Sequence, residues 1–245
     1  IAGGSNASRH YTECSLVRYR AGRIYLESLP PLPVALANGT GCVVGDILYI
    51  AGGQDGPTAT RSVSRFLSLD LSHPERGWNE LPWPSGAPSR ILAVSASAEG
   101  WFYMMSGAEL SPNERNEPTR TYLRDAWRYR PGDGWERLPD LPRAAAGAPS
   151  PCAVLPSGSL LIHSGVWPEY LASAPAGLEF PGFSREWLIL NPRQRTWQRV
   201  HEPRVSVPAR VTAPAVWWND YYVVPSGESA PGIRTPTVLA LKFLP

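Results

Sequence analysis
The chain has 245 residues, 43% hydrophobic and 18% charged, the composition of a folded globular protein and not of a disordered or membrane-embedded one. A formal net charge of +2, an isoelectric point near 8.5 and scattered arginines imply no nucleic-acid partner, and no apolar run is long enough to span a bilayer. Cys14, Cys42 and Cys152 are widely spaced with no CxxC pair, which argues against a disulfide framework or a zinc site and for small core residues.

Ten tryptophans, 27 prolines and two methionines, with short alternating apolar runs, predict an all-β chain. Taken in order, one pattern recurs: a small-residue strand, an apolar strand ending in Gly-Gly or Ser-Gly, a loop, a third strand, then Trp-x-x-Leu-Pro. IAGG opens the chain at Gly4, followed by SLVRYR and GRIYLESLPPLP. DILYIAGG ends at Gly53, followed by VSRFLSLDL and GWNELPWP. WFYMMSG ends at Gly107, followed by DAWRYRP and GWERLPDLP. LLIHSG ends at Gly165, followed by EWLILNP and TWQRVHEP, and YYVVPSG ends at Gly227, followed by TVLALKFL. The glycine pairs are spaced from about 50 to about 60 residues apart, and a four-stranded unit at that period resembles a kelch-type β-propeller. The expected architecture is one propeller domain over residues 1–245, six-bladed when complete. This chain then covers about four and a half blades and lacks an N-terminal portion of the ring. Trp78, Trp135 and Trp197 are expected to pack between blades, not to stack on a ligand.

Strands alternate in direction within a blade, so loops from a fourth strand to the next first strand share a face with loops from second to third strand. Function is expected where these loops converge on the central channel. The first kind carries Asn38, Arg90, Arg143, Arg204 and Arg210. The second carries Asn6, Arg9, His10, Tyr11, the segments 108–121 and 166–182, and the stretch PSGESAPGIRTP from Pro225 to Pro236 with Glu228 and Arg234. Arginines suit a carboxylate ligand, and a desolvated glutamate has its pKa raised toward the acid–base range, so a small acidic molecule is the expected ligand. The four histidines lie in separate repeats without ligand spacing, which leaves no metal site to propose. His163 is expected as a hydrogen-bonded interior residue and Asp125 as a loop tie. The 166–182 segment, with Trp167, Tyr170 and Phe180, is either a lid over the mouth or a passive surface loop.

The segments LPPLPVALANGTGCVVGDILYIAGG, YLRDAWRYRPGDGWERLPDLP and, above all, SGESAPGIRTP resemble the kelch-type N-acetylneuraminate epimerases, or sialic acid mutarotases, over most of the chain. GGSNASRHYTECSLVRYRAGRIYLESLPPLP standing before NGTG is similar to their cyclically permuted branch. The resemblance implies an isomerase that needs no cofactor and interconverts the anomers of a sialic acid by ring opening and closure. It implies Glu228 as proton acceptor and Arg234 as its active-site partner. Arg90, Asn38 and Arg210 are weaker candidates for contacts to the substrate carboxylate and hydroxyls, and the general acid is open between Arg234, a tyrosine and water. A bacterial, periplasmic or exported location follows from the resemblance alone. Two other readings stand beside it, a non-catalytic kelch scaffold for protein or carbohydrate and another propeller carbohydrate enzyme. Against a sialidase, the chain has no Ser-x-Asp-x-Gly-x-Thr-Trp repeat.

Overall fold
The β-branched and aromatic residues that fill these short runs, with turn residues between them, form antiparallel meanders, because each strand is joined to the next by too few residues for any other pairing. A computed structural model describes residues 1–168, 182–201 and 207–243. The first unit is a two-stranded sheet of β1 (Cys14–Arg20) and β2 (Arg23–Leu29). The second unit orders β3 (Thr40–Val44), β4 (Ile47–Ala51), β5 (Phe66–Asp70) and β6 (Asn79–Leu81) as a four-stranded blade. After β7 (Val94–Ala98) and β8 (Trp101–Met105) the chain makes a separate hairpin, β9 (Ala108–Pro112) with β10 (Pro118–Tyr122). It then completes the third blade with β11 (Ala126–Arg130) and β12 (Gly134–Leu138). The fourth blade is β13 (Ala153–Val154), β14 (Leu160–His163), β15 (Trp187–Asn191) and β16 (Thr196–Val200). The fifth has β17 (Val216–Trp218), β18 (Tyr221–Pro225) and β21 (Val238–Leu241), with β19 (Glu228–Ala230) and β20 (Ile233–Arg234) paired as a hairpin above it. The fold is an all-β kelch β-propeller, and three four-stranded blades are flanked by the two- and three-stranded units.

Blades pack face on face, so consecutive residues of a central strand serve different interfaces. Phe102 joins Tyr49, Phe66, Tyr129 and Trp135 between the second and third blades, with ring centroids 4.7–6.1 Å apart. Its neighbour Tyr103 points the other way, into the cluster with Leu160, Ile162 and Leu188 of the fourth blade. Each fully buried large side chain of this kind contributes roughly 1.5–3 kcal/mol. The repeated tryptophan supplies a second tie. Trp78, Trp135 and Trp197 donate their indole N–H to the carbonyls of Pro30, Pro82 and Pro139, each in the Leu-Pro segment of the preceding unit, at 2.9, 2.7 and 2.9 Å. Their expected role as blade-packing residues is what the structure shows. The exposed large hydrophobics, apart from Val43, lie in the first and fifth units, each of which has one described neighbour.

The glycine pair recurs because the fourth-to-first connection passes against it. At Gly53, φ is +112° and an added Cβ would stand 2.8 Å from the Ala37 carbonyl oxygen, so a side chain is excluded on both counts. The three cysteines are buried and free, and burial pushes the Cys42 thiol up to about 12 and Cys152 up as well.

A candidate active site at the channel mouth
At the head of each inner strand the chain turns through one residue with positive φ: Asn38 (58°), Leu92 (56°), Gly147 (68°) and Thr212 (51°). These four residues form a belt. Leu92 N–H donates to Asn38 O at 2.8 Å, Gly147 N–H to Leu92 O at 2.8 Å, and Thr212 N–H to Gly147 O at 2.7 Å, so each unit is stitched to the one before it around the channel. For asparagine and glycine the left-handed region costs little; for a β-branched threonine it is a true outlier, of the kind that functional sites retain. Below the belt, Ser150 Oγ meets Thr40 Oγ1 at 2.9 Å and Ser95 Oγ at 3.0 Å. A cavity of about 310 Å³ opens here, lined by belt residues, Thr40, Ser150 and Arg234.

A second repeated position faces the belt. The residue just after the glycine pair bridges to the residue just before the belt in every complete turn: Gln54 to Ala37, Ala108 to Ile91, Val166 to Ala146 and Glu228 to Val211. In the third and fourth blades the facing side chains are Leu92 with Ala108 and Gly147 with Val166, which offer no chemistry. In the second, Asn38 Nδ2 donates to Gln54 Oε1 at 3.0 Å. In the fifth, Thr212 Oγ1 donates to Glu228 Oε1 at 2.7 Å.

Glu228 is half-buried, and its Oε2 accepts from the Gly232 N–H at 3.2 Å, across the tight turn of its own hairpin. That hairpin sets Arg234 directly opposite Glu228 in register. The exposed guanidinium does not close an ion pair with the carboxylate; Nη2 reaches Thr212 O at 3.3 Å and Thr212 Oγ1 at 3.4 Å. The order is guanidinium to hydroxyl to carboxylate, with each group donating to the next. An acceptor for a proton thus stands one hydroxyl away from a fixed positive charge, and the hydroxyl and the guanidinium both line the cavity.

The other sequence candidates divide sharply. Asn38 lines the cavity, held by Gln54, which itself donates to Gly56 O at 3.1 Å. Arg90 is excluded as a substrate contact. It is fully buried, and all five of its donors are used on Asp125, Ser106 O and Pro88 O, with the bidentate Asp125 contacts at 2.9 and 2.6 Å. Asp125, which also accepts from the Trp127 indole at 2.6 Å, is the expected loop tie. Arg143 is a second brace, bonded to Glu186 and to the Ala144 and Ser164 carbonyls. The mouth therefore does not collect arginines as expected, because two of them are turned into the blades by acids that stand just before the third strands. Arg210 is buried with no such acid among the described residues, and Arg204 lies outside them. His163 is buried as expected but not hydrogen-bonded at Nε2; it packs edge-on to Tyr222, and burial lowers its pKa to about 4. The segment 108–121 is a regular hairpin instead of a loop, because Asn113 Oδ1 caps its turn by accepting from the Arg115 and Glu117 N–H groups. Tyr170 and Phe180 of the suggested lid lie outside the described residues, and Trp167 stacks under Arg199 at 4.8 Å. Among the described residues no group of histidines, cysteines and carboxylates is placed to hold a metal ion.

Thr212 and Gln54 were not singled out in the sequence. The signal lay in the repeat: aligning the units on their glycine pairs sets Thr212 with Asn38 and Glu228 with Gln54. A neighbouring cavity of about 270 Å³ shares Asn38 and Thr40 but is otherwise walled by groups such as Leu32, Leu36, Leu48 and Ile50, and it holds no ionisable side chain.

Fold and site together define a kelch propeller with a carboxylate, a hydroxyl and a guanidinium joined at the mouth of its channel. A family profile described as the Kelch motif matches residues 35–71, which span β3 to β5. Over most of its length the chain is distantly homologous to N-acetylneuraminate epimerases. It is 29% identical over 239 residues to that of Haemophilus influenzae strain PittEE, covering 89% of this chain and 60% of the relative. It is 26% identical over 243 residues to that of Brucella melitensis biotype 1, covering 89% and 59%. The chain thus spans about 60% of the length of these bacterial relatives. The solved structure of YjhT superposes with a TM-score of 0.65 at 22% identity, covering 88% of this chain and 65% of that one, a likeness of fold.

Proposed function
We propose that this protein is a cofactor-independent epimerase, or mutarotase, that interconverts the anomers of N-acetylneuraminate or a closely related sialic acid. The observation that carries this reading is the Arg234–Thr212–Glu228 chain at the channel cavity, the one polar pair of the repeat that is ionisable. Distant homology to proteins named for that reaction supports the substrate class.

Glu228 takes the proton of the anomeric hydroxyl while the ring oxygen receives one from water at the open mouth. The bond between the anomeric carbon and the ring oxygen breaks, leaving an open-chain 2-keto acid. Rotation about the adjoining C2–C3 bond presents the other face of the carbonyl, and closure returns both protons by the reverse path. Arg234 steadies the negative charge that develops near Thr212, and Asn38 contacts a sugar hydroxyl across the cavity. Proton transfer and positioning account for every step.

The test is proton NMR of freshly dissolved α-N-acetylneuraminate as it approaches its anomeric equilibrium. Faster equilibration with the protein, abolished by Glu228→Gln, is the expected result. An equilibration rate unchanged from buffer, with the protein folded, would overturn the assignment.

A further inference from the structure
A propeller repeats one scaffold, so a charge satisfied in one unit can be followed to its counterpart in the next. In the third unit buried Arg90 is paired with Asp125, the residue just before β11. In the fourth, Arg143 reaches Glu186, the residue just before β15, from two positions earlier on its connection. Both guanidiniums also bond the carbonyl of the serine before the second glycine, Ser106 and Ser164. In the fifth unit the counterpart of Arg90 is Arg210, since each immediately precedes the residue that bridges to the end of the second strand. The counterpart of Asp125 is Thr237, the residue just before β21.

The arginine is kept, and among the described residues no acid is paired with it. Arg210 is 8% exposed; Nη1 donates to Ala209 O at 2.8 Å, while Nε is buried with no partner among the described residues. A buried guanidinium without its carboxylate is a costly arrangement unless something supplies the anion. Thr237 is exposed, so the place that an acid fills in the two sister units adjoins solvent here.

We propose that Arg210 is a carboxylate subsite: a ligand's carboxylate takes the position that Asp125 and Glu186 occupy in the third and fourth blades. The same scaffold holds a carboxylate in both sister units, which makes a carboxylate the anion it is shaped for. The identity of the ligand rests on the proposed function. Arg210 is two residues before Thr212, at most about 7 Å along the chain. In a 2-keto sugar acid the carboxyl carbon is bonded to the anomeric carbon, so a carboxylate held two-pronged by Arg210 fixes the anomeric centre one bond away and with it the face of the ring that meets the base.

The experiment follows the Arg210 Nε–H resonance by ¹⁵N NMR in the wild-type protein and in Thr237→Asp, which restores the internal acid. Acetate, N-acetylneuraminate and its methyl ester are titrated in turn. Acetate is expected to move the wild-type resonance saturably and to leave Thr237→Asp unmoved. The free acid is expected to bind about tenfold or more tightly than the ester, a preference lost in the variant. A resonance indifferent to acetate in folded wild-type protein overturns the subsite, and so does an unchanged response in Thr237→Asp. If acetate responds as expected but the sugar acid neither binds nor equilibrates faster, the subsite stands and the proposed function falls.

Discussion

The second and fifth units hold the same pair of positions at the channel mouth and fill them differently. Asn38 with Gln54 is a neutral amide pair, closed on itself and on Gly56 O. Thr212 with Glu228 replaces it by a hydroxyl and a carboxylate, with Arg234 delivered by the hairpin that follows. Backbone geometry is shared: both belt residues have positive φ, and both partners bridge to the residue before the belt. What separates a structural clasp from a candidate catalytic group is thus three side chains on one scaffold, together with the tight Gly232 turn that aims the third.

The largest expected effect breaks that contrast. Glu228→Gln makes the fifth unit's pair as neutral as the second's, and equilibration of the sugar acid is expected to slow by about 10²–10⁴-fold, read by NMR. Gln54→Glu in the same background is expected to return none of it, because the second unit carries no hairpin arginine to complete the chain. Next in size is the brace that keeps Arg90 away from the mouth. Asp125→Ala leaves a fully buried guanidinium unpaired, and chemical denaturation is expected to report a loss of about 3–5 kcal/mol. A loss much below that range would show that a unit tolerates an unpaired arginine at this position, and Arg210 would then need no anion.

Acid sensitivity gives a third probe, at the strand end beneath the fifth unit. His163 has its pKa lowered from 6.5 to about 4 by burial, so the unfolded chain binds the proton first. Its contribution to stability is complete above about pH 6.5 and erodes as pH falls toward 4, by roughly 3 kcal/mol in all. Met105 holds the equivalent strand-end position of the third blade, and His163→Met is expected to flatten the stability profile between those pH values, measured by urea unfolding at each pH. The smallest effect is Asn38→Ala, which removes one half-buried hydrogen bond and an asparagine suited to positive φ. About 1 kcal/mol of stability is expected to go, with a modest weakening of substrate binding and the rate at saturation kept.

Much of this was legible in the linear sequence. Alternating apolar residues, glycine pairs and Trp-x-x-Leu-Pro recur at a fixed period, and periodicity is a local property, so strand order and blade packing followed from it. Pro225–Pro236 stood out as a candidate because two glycines and three prolines make a stiff turn carrying opposite charges, but those residues alone fit a surface turn with a weak ion pair as well, and it was the repeat that placed the turn on the channel face. Tertiary structure decided which charges were available. Arg90 and Arg210 look alike in sequence, each an arginine near the head of an inner strand. Only the fold brings Asp125 onto the first from 35 residues away, while the equivalent position of the fifth unit, just before β21, is Thr237. In the same way Thr212 is an unremarked residue until the belt turns it toward Glu228. Whether a charge is spent on the scaffold or left for a ligand depends on partners far apart in the chain, and no local pattern records that distance.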